Sequence, residues 1–269
     1  VERDDLAADP VLPRLRDLLG KGYLLPAPIL PRGAWQSLVL PTPMATAQSE
    51  LPIAALVYDP EGREVARHRF GRLPRAHAAL LDLDRLAGVE ALGEGWGHVE
   101  LVYDFADGGM ADGWLHALFR YRHRASGHAA ETSFGAHVFN TALTYRGEPQ
   151  SYSGPPPGLS TRLFLRLGES GHDTLCHLIY PASRPWRPLS ATQIVLYDGT
   201  GGEIARAALE IPCSGSRLWH YRALFPAATR ARAGKGAYIV VRDATCRLFG
   251  YHGLVGPAGA FSLDHMFGF

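Results

Sequence analysis

The sequence predicts an all-β protein: a tandem duplication of an antiparallel β-sandwich, preceded by a short helix. The first observation is a hairpin pattern that occurs twice, as LVYDPEGREVAR at 56–67 and as VLYDGTGGEIAR at 195–206. The second is a further pair of segments, 95–104 and 234–243, with the same offset of 139 positions. The third is the spacing of short apolar runs between Pro, Gly and Asp clusters, which is typical of sandwiches of about 100 residues.

Each hairpin segment has turn chemistry between two strand-like flanks. In the first copy Asp59 suits the first turn position, Pro60 presets φ at the second, and Gly62 can adopt the left-handed conformation. The second copy keeps the aspartate and the last glycine, as Asp198 and Gly201. The pattern resembles the hairpins of immunoglobulin-like and fibronectin-like bacterial sandwich modules. This resemblance covers about a dozen residues per copy and implies no site residues.

The repeat extends beyond the hairpins. The segment GWGHVELVYD at 95–104 aligns with GKGAYIVVRD at 234–243. The segment LVLP at 38–41 aligns with LIYP at 178–181 with a shift of one residue. Because constant spacing over separated segments is difficult to obtain by chance, we interpret the chain as an internal duplication.

The flanking segments complete the predicted organisation. Asp9 and Pro10 suit the start of a short helix with a leucine-rich face, and Gly20 suits its end. The prolines at 155–157 predict a semi-rigid linker, because they cannot join a central strand. The predicted boundaries are an N-terminal helix and extended arm over 1–36, a first sandwich over 37–146, a linker over 147–161 and a second sandwich over 162–269.

Composition narrows the classes of partner. A net charge of +1 and a pI near 8.0 give no general attraction to nucleic acid or to a membrane surface. No apolar run approaches the ~20 residues of a membrane helix. Three cysteines without a CxxC spacing predict no disulfide framework, which favours a reducing compartment and hence the cytoplasm.

The histidines are the first candidate for chemistry, since no nucleophile elbow, P-loop, dinucleotide fingerprint or H-E-x-x-H motif occurs. The repeat pairs Leu115-His116 with Tyr251-His252, and His137 with His265. If these strands are neighbours at a pseudo-twofold interface, the histidines could bind zinc or iron, with Asp264 or Glu131 as orienting group or base. The alternative is that they are structural residues inherited before the duplication. The tentative metal ligands are His116, His137, His252 and His265.

The strand at 114–124 is the second candidate. Alternation places one set of residues in the core, and the other set forms a cationic face with an aromatic residue at one end. Arginine binds carboxylate, sulfate or phosphate through two hydrogen bonds, and tryptophan stacks on sugar rings. The alternative is an ordinary solvated or edge-protecting strand. The predicted ligand-binding residues are Trp114, His116, Arg120, Arg122 and Arg124.

Two functional hypotheses follow. The first is a non-catalytic β-sandwich protein that binds an anionic or carbohydrate-like ligand, or a protein partner, through the face at 114–124. The second is a metal-dependent enzyme with histidines from both repeats. Neither hypothesis requires nucleic acid or a membrane span, and a homodimer is a further state that the sequence leaves open.

Overall fold

The structure is a computed structural model, and it confirms that the protein is mostly β, with antiparallel sheets. The predicted N-terminal helix and most of the predicted linker lie outside the residues that the structure describes. The described residues are 6–8, 25–43, 49–104, 113–138, 143–145, 148–149, 161–168, 171–181, 188–244, 246 and 248–266.

The N-terminal half has two four-stranded sheets. Sheet I has the strand order β2-β7-β4-β5, and sheet II has the order β6-β3-β8-β9. The strands β1, β10 and β11 form a third, three-stranded sheet. The strand bounds are β1 Leu6–Ala8, β2 Leu25–Ile29, β3 Trp35–Pro43, β4 Glu50–Tyr58, β5 Glu64–Pro74, β6 Leu81–Asp82, β7 Gly97–Tyr103, β8 Gly113–His123, β9 Ala129–Val138, β10 Leu143–Tyr145 and β11 Glu148–Pro149.

The C-terminal half has the same strand order in its two sheets. Sheet III is β12-β17-β14-β15 and sheet IV is β16-β13-β18-β19, so each strand number exceeds its counterpart in the N-terminal half by ten. The strand bounds are β12 Thr161–Arg166, β13 Asp173–Ile179, β14 Thr192–Tyr197, β15 Glu203–Leu209, β16 Ser216–His220, β17 Tyr238–Asp243, β18 Phe249–Val255 and β19 Asp264–His265.

Both predicted hairpins are present, as β4–β5 and β14–β15. The side chains of Asp59 and Asp198 each accept hydrogen bonds from the backbone N–H groups two and four residues further on, at 2.8–3.0 Å. Gly62 and Gly201 have φ values of +84° and +93°, a conformation that glycine adopts at little cost. The turn residues therefore fix the hairpins locally.

Short helical segments connect the sheets at equivalent places in the two halves. Between β6 and β7 lie two 3₁₀ turns, Leu83–Arg85 and Val89–Leu92; between β16 and β17 lie α1 (Tyr221–Leu224) and α2 (Ala227–Ala233). A last 3₁₀ turn, Pro257–Gly259, precedes β19. No helix within the described ranges is long and apolar enough to cross a membrane.

Sheet IV contributes to two apolar cores. Cys176 and Leu178 of β13 face the core of the C-terminal half. Leu175 and Ile179 of the same strand, together with Tyr251 of β18, belong to the core of the N-terminal half. These side chains are 2% exposed or less, and full burial of one apolar side chain stabilises a fold by about 1.5–3 kcal/mol. The core of the N-terminal half is therefore completed by residues of the C-terminal half.

The edge of sheet I is closed by tyrosine hydroxyls from two sheets. Among the described strands, β2 pairs with β7 alone, and its prolines Pro26 and Pro28 have no N–H to offer a further strand. Their carbonyl oxygens accept hydrogen bonds from the hydroxyls of Tyr251, at 2.6 Å, and Tyr121, at 2.9 Å. This edge is therefore satisfied without a neighbouring strand.

The first hairpin turn also packs against the C-terminal half. The carbonyl of Pro60 accepts hydrogen bonds from the Arg217 side chain, at 2.8 Å, and from the backbone N–H of Ser216, at 3.1 Å. A Cβ atom on Gly62 would lie 2.4 Å from the carbonyl oxygen of Cys213. Glycine is thus required here by close approach as well as by φ.

Candidate functional site

Strand β8 places the described members of the predicted binding set on the outward face of sheet II. Ala117, Phe119 and Tyr121 are each 1% exposed and face the core, as the alternation predicts. Trp114 lies in β8, but its side chain is outside the described part. The outward side chains, which we call the β8 face, are His116, Leu118, Arg120 and Arg122.

Two of the three predicted arginines are engaged by carboxylates of the same chain. Arg120 forms an ion pair with Glu131 of β9 at 2.5 Å. Arg124 follows β8 and forms an ion pair with Asp84 at 2.5 Å. Arg122 is exposed and has no ion pair within the described residues. The face therefore carries less unbalanced positive charge than the sequence pattern predicts.

Leucines occupy the middle of the same face. Leu40 of β3 stands directly opposite Leu118, and both are half-buried. Strand β6 pairs Leu38 with Asp82 and Val39 with Leu81, and an extension of this register by one residue would set Leu80 opposite Leu40. Leu80 directly precedes β6 and is 48% exposed. We call Leu40, Leu80 and Leu118 the leucine row; two of its members lie on β3 and β8, and the third lies at the start of β6.

The predicted histidine cluster does not form among the described side chains. His116 points outward from sheet II, whereas His265 contacts the ring of Phe134, which points inward from the same sheet beside Ala117. His252 pairs with the buried Cys176 and faces the core of its own half. The side chain of His137 lies outside the described part.

A one-residue shift between the sequence alignment and the structure explains why the aligned histidines do not come together. The sequence alignment matches His116 with His252, but the first points away from its own core and the second toward it. Because strand side chains alternate with period two, a shift of one position exchanges the faces. Within the described ranges, no three His, Cys, Asp or Glu side chains are grouped so that they could hold a metal ion.

A buried polar group that the sequence patterns did not single out lies where the halves meet. His98 and Glu100 of β7 are both 0% exposed, with Nε2 and Oε1 3.2 Å apart. The ring of Tyr58 stacks on His98 at 5.2 Å. His177 of β13 is also 0% exposed, and neither of its ring nitrogens has a hydrogen-bond partner among the described residues. The sequence signal was the pair of ionisable residues two positions apart within an apolar strand.

Burial affects the titration of two members of this group, His177 and Tyr58. Burial, with a smaller effect of the nearby His98, lowers the pKa of His177 to about 3. Burial also raises the pKa of the Tyr58 hydroxyl, and Glu100 adds to the effect. His177 is therefore neutral at physiological pH. Because the group is closed to solvent, it can act on stability but offers no surface to a ligand.

Comparisons with known proteins identify no family for the chain. No protein-family model matches it, and no curated protein matches it. Among solved structures, it is similar to the serine-rich repeat protein Srr2 of Streptococcus agalactiae, with 12% identity, 91% of this chain and 84% of that chain covered, and a TM-score of 0.19. The apo Pleurotus ostreatus lectin gives 8% identity, coverages of 93% and 78%, and a TM-score of 0.12.

A third solved structure, the CupB6 tip adhesin of Pseudomonas aeruginosa, gives 9% identity, coverages of 91% and 90%, and a TM-score of 0.14. With TM-scores of this size, the three likenesses carry no argument about fold or function. The residues themselves must supply the functional argument.

Proposed function

We propose that the protein is a non-catalytic binding protein and that the β8 face recognises a protein partner. The leucine row carries this proposal. It is an apolar strip on an outward sheet face, and Leu80 is one of two large apolar side chains that are markedly exposed within the described residues. Apolar centres with polar rims are the usual anatomy of protein–protein contacts.

The charges around the leucine row favour a protein over a small anion. Arg120 and Arg124 already bind carboxylates, so an anionic small molecule would have to displace Glu131 and Asp84. Arg122 has no such pair and can meet a carboxylate of the partner. A protein surface can satisfy both the leucines and this single arginine, whereas an anion or a neutral sugar would leave the leucines in water.

We further propose that the halves are tandem copies of one β-sandwich, with the linker at 147–161 between them. The equal strand order of the sheets supports a duplication, as does the shared hairpin chemistry of Asp59 and Asp198. In this view the two copies have diverged in the residues of their outward sheet faces. Binding then resides in these faces, and the hairpins are part of the shared scaffold.

A matched pair of leucines provides the test. Leu80 and Leu189 are 48% and 47% exposed, and only Leu80 belongs to the leucine row. Tagged wild type, Leu80→Asp and Leu189→Asp are used to capture proteins from an extract of the source organism. Captured partners are then purified and titrated by calorimetry. We expect Leu80→Asp to weaken binding by roughly tenfold or more, because a buried apolar contact is replaced by a charge.

Light scattering of the same three proteins tests whether the partner is a second copy of the chain. A partner that binds wild type, Leu80→Asp and Leu189→Asp equally well would show that the leucine row is not the contact. Equal melting temperatures for the two variants are the control for folding.

A further inference from the structure

Sheet III presents an outward face of a different chemistry. The odd-numbered residues of β12 and the even-numbered residues of β14 face the core, and the residues between them point outward. On three adjacent strands this outward side combines aromatic rings with arginines. We call it the tyrosine face, and its members are Phe164 and the arginines Arg162 and Arg166 of β12, Tyr197 of β14, and Tyr238 and Arg242 of β17. Val195 and Val240 lie between them on the same side and are 0% and 6% exposed, so the rings and arginines cover an apolar centre.

The aromatic side chains are arranged as a connected row. Tyr197 and Tyr238 are directly paired across strands and stack at 5.2 Å with an interplanar angle of 13°. Phe164 lies 5.3 Å from Tyr238 at 38°. The Arg242 side chain donates to the Tyr197 hydroxyl at 2.7 Å and lies 5.7 Å from the centre of its ring. Because the rings of Tyr197 and Tyr238 are stacked on each other, the pair offers ring edges and hydroxyl groups to a ligand.

Two arginines of the tyrosine face have no carboxylate partner among the described residues. Arg162 stands directly opposite Arg242, and like charges in such a position destabilise a sheet. Arg162 and Arg166 are exposed and form no ion pair within the described residues. The neighbouring Glu203 is paired with Arg206 at 2.9 Å. A bound anion would offset this repulsion.

The equivalent face of sheet I is closed. Tyr58 and His98 occupy the places of Tyr197 and Tyr238, and they are 3% and 0% exposed. The place of Arg166 is taken by Pro28, which pairs with His98 as the arginine pairs with Tyr238. Among the described residues, sheet III therefore differs from sheet I in that its aromatic rings are half-buried and Arg162 and Arg166 beside them are exposed.

We propose that the tyrosine face binds an anionic polysaccharide, that is, a sugar chain that carries sulfate or carboxylate groups. Arginine forks bind such groups through two hydrogen bonds, while the Phe164 ring packs against a sugar ring and the hydroxyl groups of the tyrosines bond the sugar hydroxyls. Arg162 and Arg166 are separated by roughly 13 Å along the strand, which suits a polymer with repeated charges.

Other polyanions fit the tyrosine face less well. Single-stranded nucleic acid needs free ring faces on which bases stack, and the Tyr197–Tyr238 pair offers edges instead. An acidic peptide would use the arginines and leave the aromatic row without a role. The proposal does not depend on the β8 face, which lies in the other half.

The experiment compares two double variants with the same change in net charge. Arg162→Ser/Arg166→Ser removes two cations from the tyrosine face. Arg75→Ser/Arg85→Ser removes two exposed cations from the N-terminal half, away from the β8 face. Binding is measured by surface plasmon resonance at about physiological ionic strength on heparin, polygalacturonate, dextran, polyglutamate and single-stranded DNA.

We expect wild type to bind heparin, polygalacturonate or both, and to bind dextran, polyglutamate and DNA more weakly. The tyrosine-face double variant should lose roughly tenfold or more in affinity, and the control double variant less than about twofold. Phe164→Leu should weaken polysaccharide binding while it leaves any binding of polyglutamate unchanged, and unaltered melting temperatures exclude misfolding as the cause.

Three outcomes would overturn the proposal. The first is that wild type binds neither anionic polysaccharide. The second is an equal loss of affinity in the two double variants, which would make overall charge and not the face responsible. The third is tighter binding of polyglutamate or DNA than of both polysaccharides, which would assign the arginines to another class of partner. Because no step involves Leu80, failure of the leucine-row experiment leaves these results interpretable.

Discussion

Replacement of His177 by leucine should make the protein less sensitive to acid. His177 is 0% exposed and has no hydrogen-bond partner on either ring nitrogen in the part of the chain that the structure describes. Burial and the nearby His98 lower its pKa to about 3. In the unfolded chain the same imidazole titrates near 6.5. Between these values the unfolded state binds a proton that the folded state does not.

The sign and the size of the effect follow from this difference. Because the folded pKa lies below the unfolded value, the contribution of His177 is fully present above pH 6.5 and is lost as the pH falls toward 3. Each pH unit below 6.5 lowers the free energy of unfolding by about 1.4 kcal/mol, so a fall to pH 4.5 should lower it by about 3 kcal/mol.

Urea unfolding at pH 7.5 and pH 4.5 measures this quantity for wild type and for His177→Leu. Other groups titrate over the same interval, but they do so in both proteins, so the difference between the two pH effects isolates His177. We expect the variant to lose about 3 kcal/mol less than wild type. At pH 7.5 it should be at least as stable, because leucine removes a buried polar group without partners. Equal losses in the two proteins would refute the reasoning.

Two further predictions concern contacts between the halves. Gly62→Ala should lower the free energy of unfolding by more than about 2 kcal/mol, because its Cβ would lie 2.4 Å from the Cys213 carbonyl oxygen. Gly201→Ala should lower it by only about 1 kcal/mol, because the nearest atom is 3.7 Å away. Equal shifts in melting temperature for the two variants would contradict this. Tyr251→Phe should lower the free energy of unfolding in urea by about 1–3 kcal/mol, because the buried Pro26 carbonyl loses its donor at 2.6 Å. An unchanged urea midpoint would show that another group replaces the hydroxyl.

Features that depend on neighbouring residues were predictable from the sequence. The turn chemistry of Asp59 and Gly62 fixes a hairpin within four positions, and the structure places it there. The alternation in β8 fixes which side chains face the core, from Ala117 to Tyr121. Period-two patterns and turn residues act locally, so they can be interpreted without knowledge of the fold.

Features that depend on distant partners were not predictable in this way. Arg120 is neutralised by Glu131 across a strand pair, and Arg124 by Asp84, which is 40 positions away. The sequence shows the arginines but not the partners, so it overstates the charge of the β8 face. The burial of His177 depends on the packing of sheet IV against the other half, which no local pattern reveals.

The two-sided role of sheet IV has a consequence for biosynthesis. The last strand of sheets I and II ends at Val138, yet their core includes Leu263, near the end of the described chain. At 5–20 residues per second, a ribosome needs on the order of ten seconds to pass from one to the other. During that interval the nascent sheets I and II lack the residues of the C-terminal half that complete their core. We expect the uncovered apolar side chains to be open to contact with other chains until the C-terminal half is synthesised.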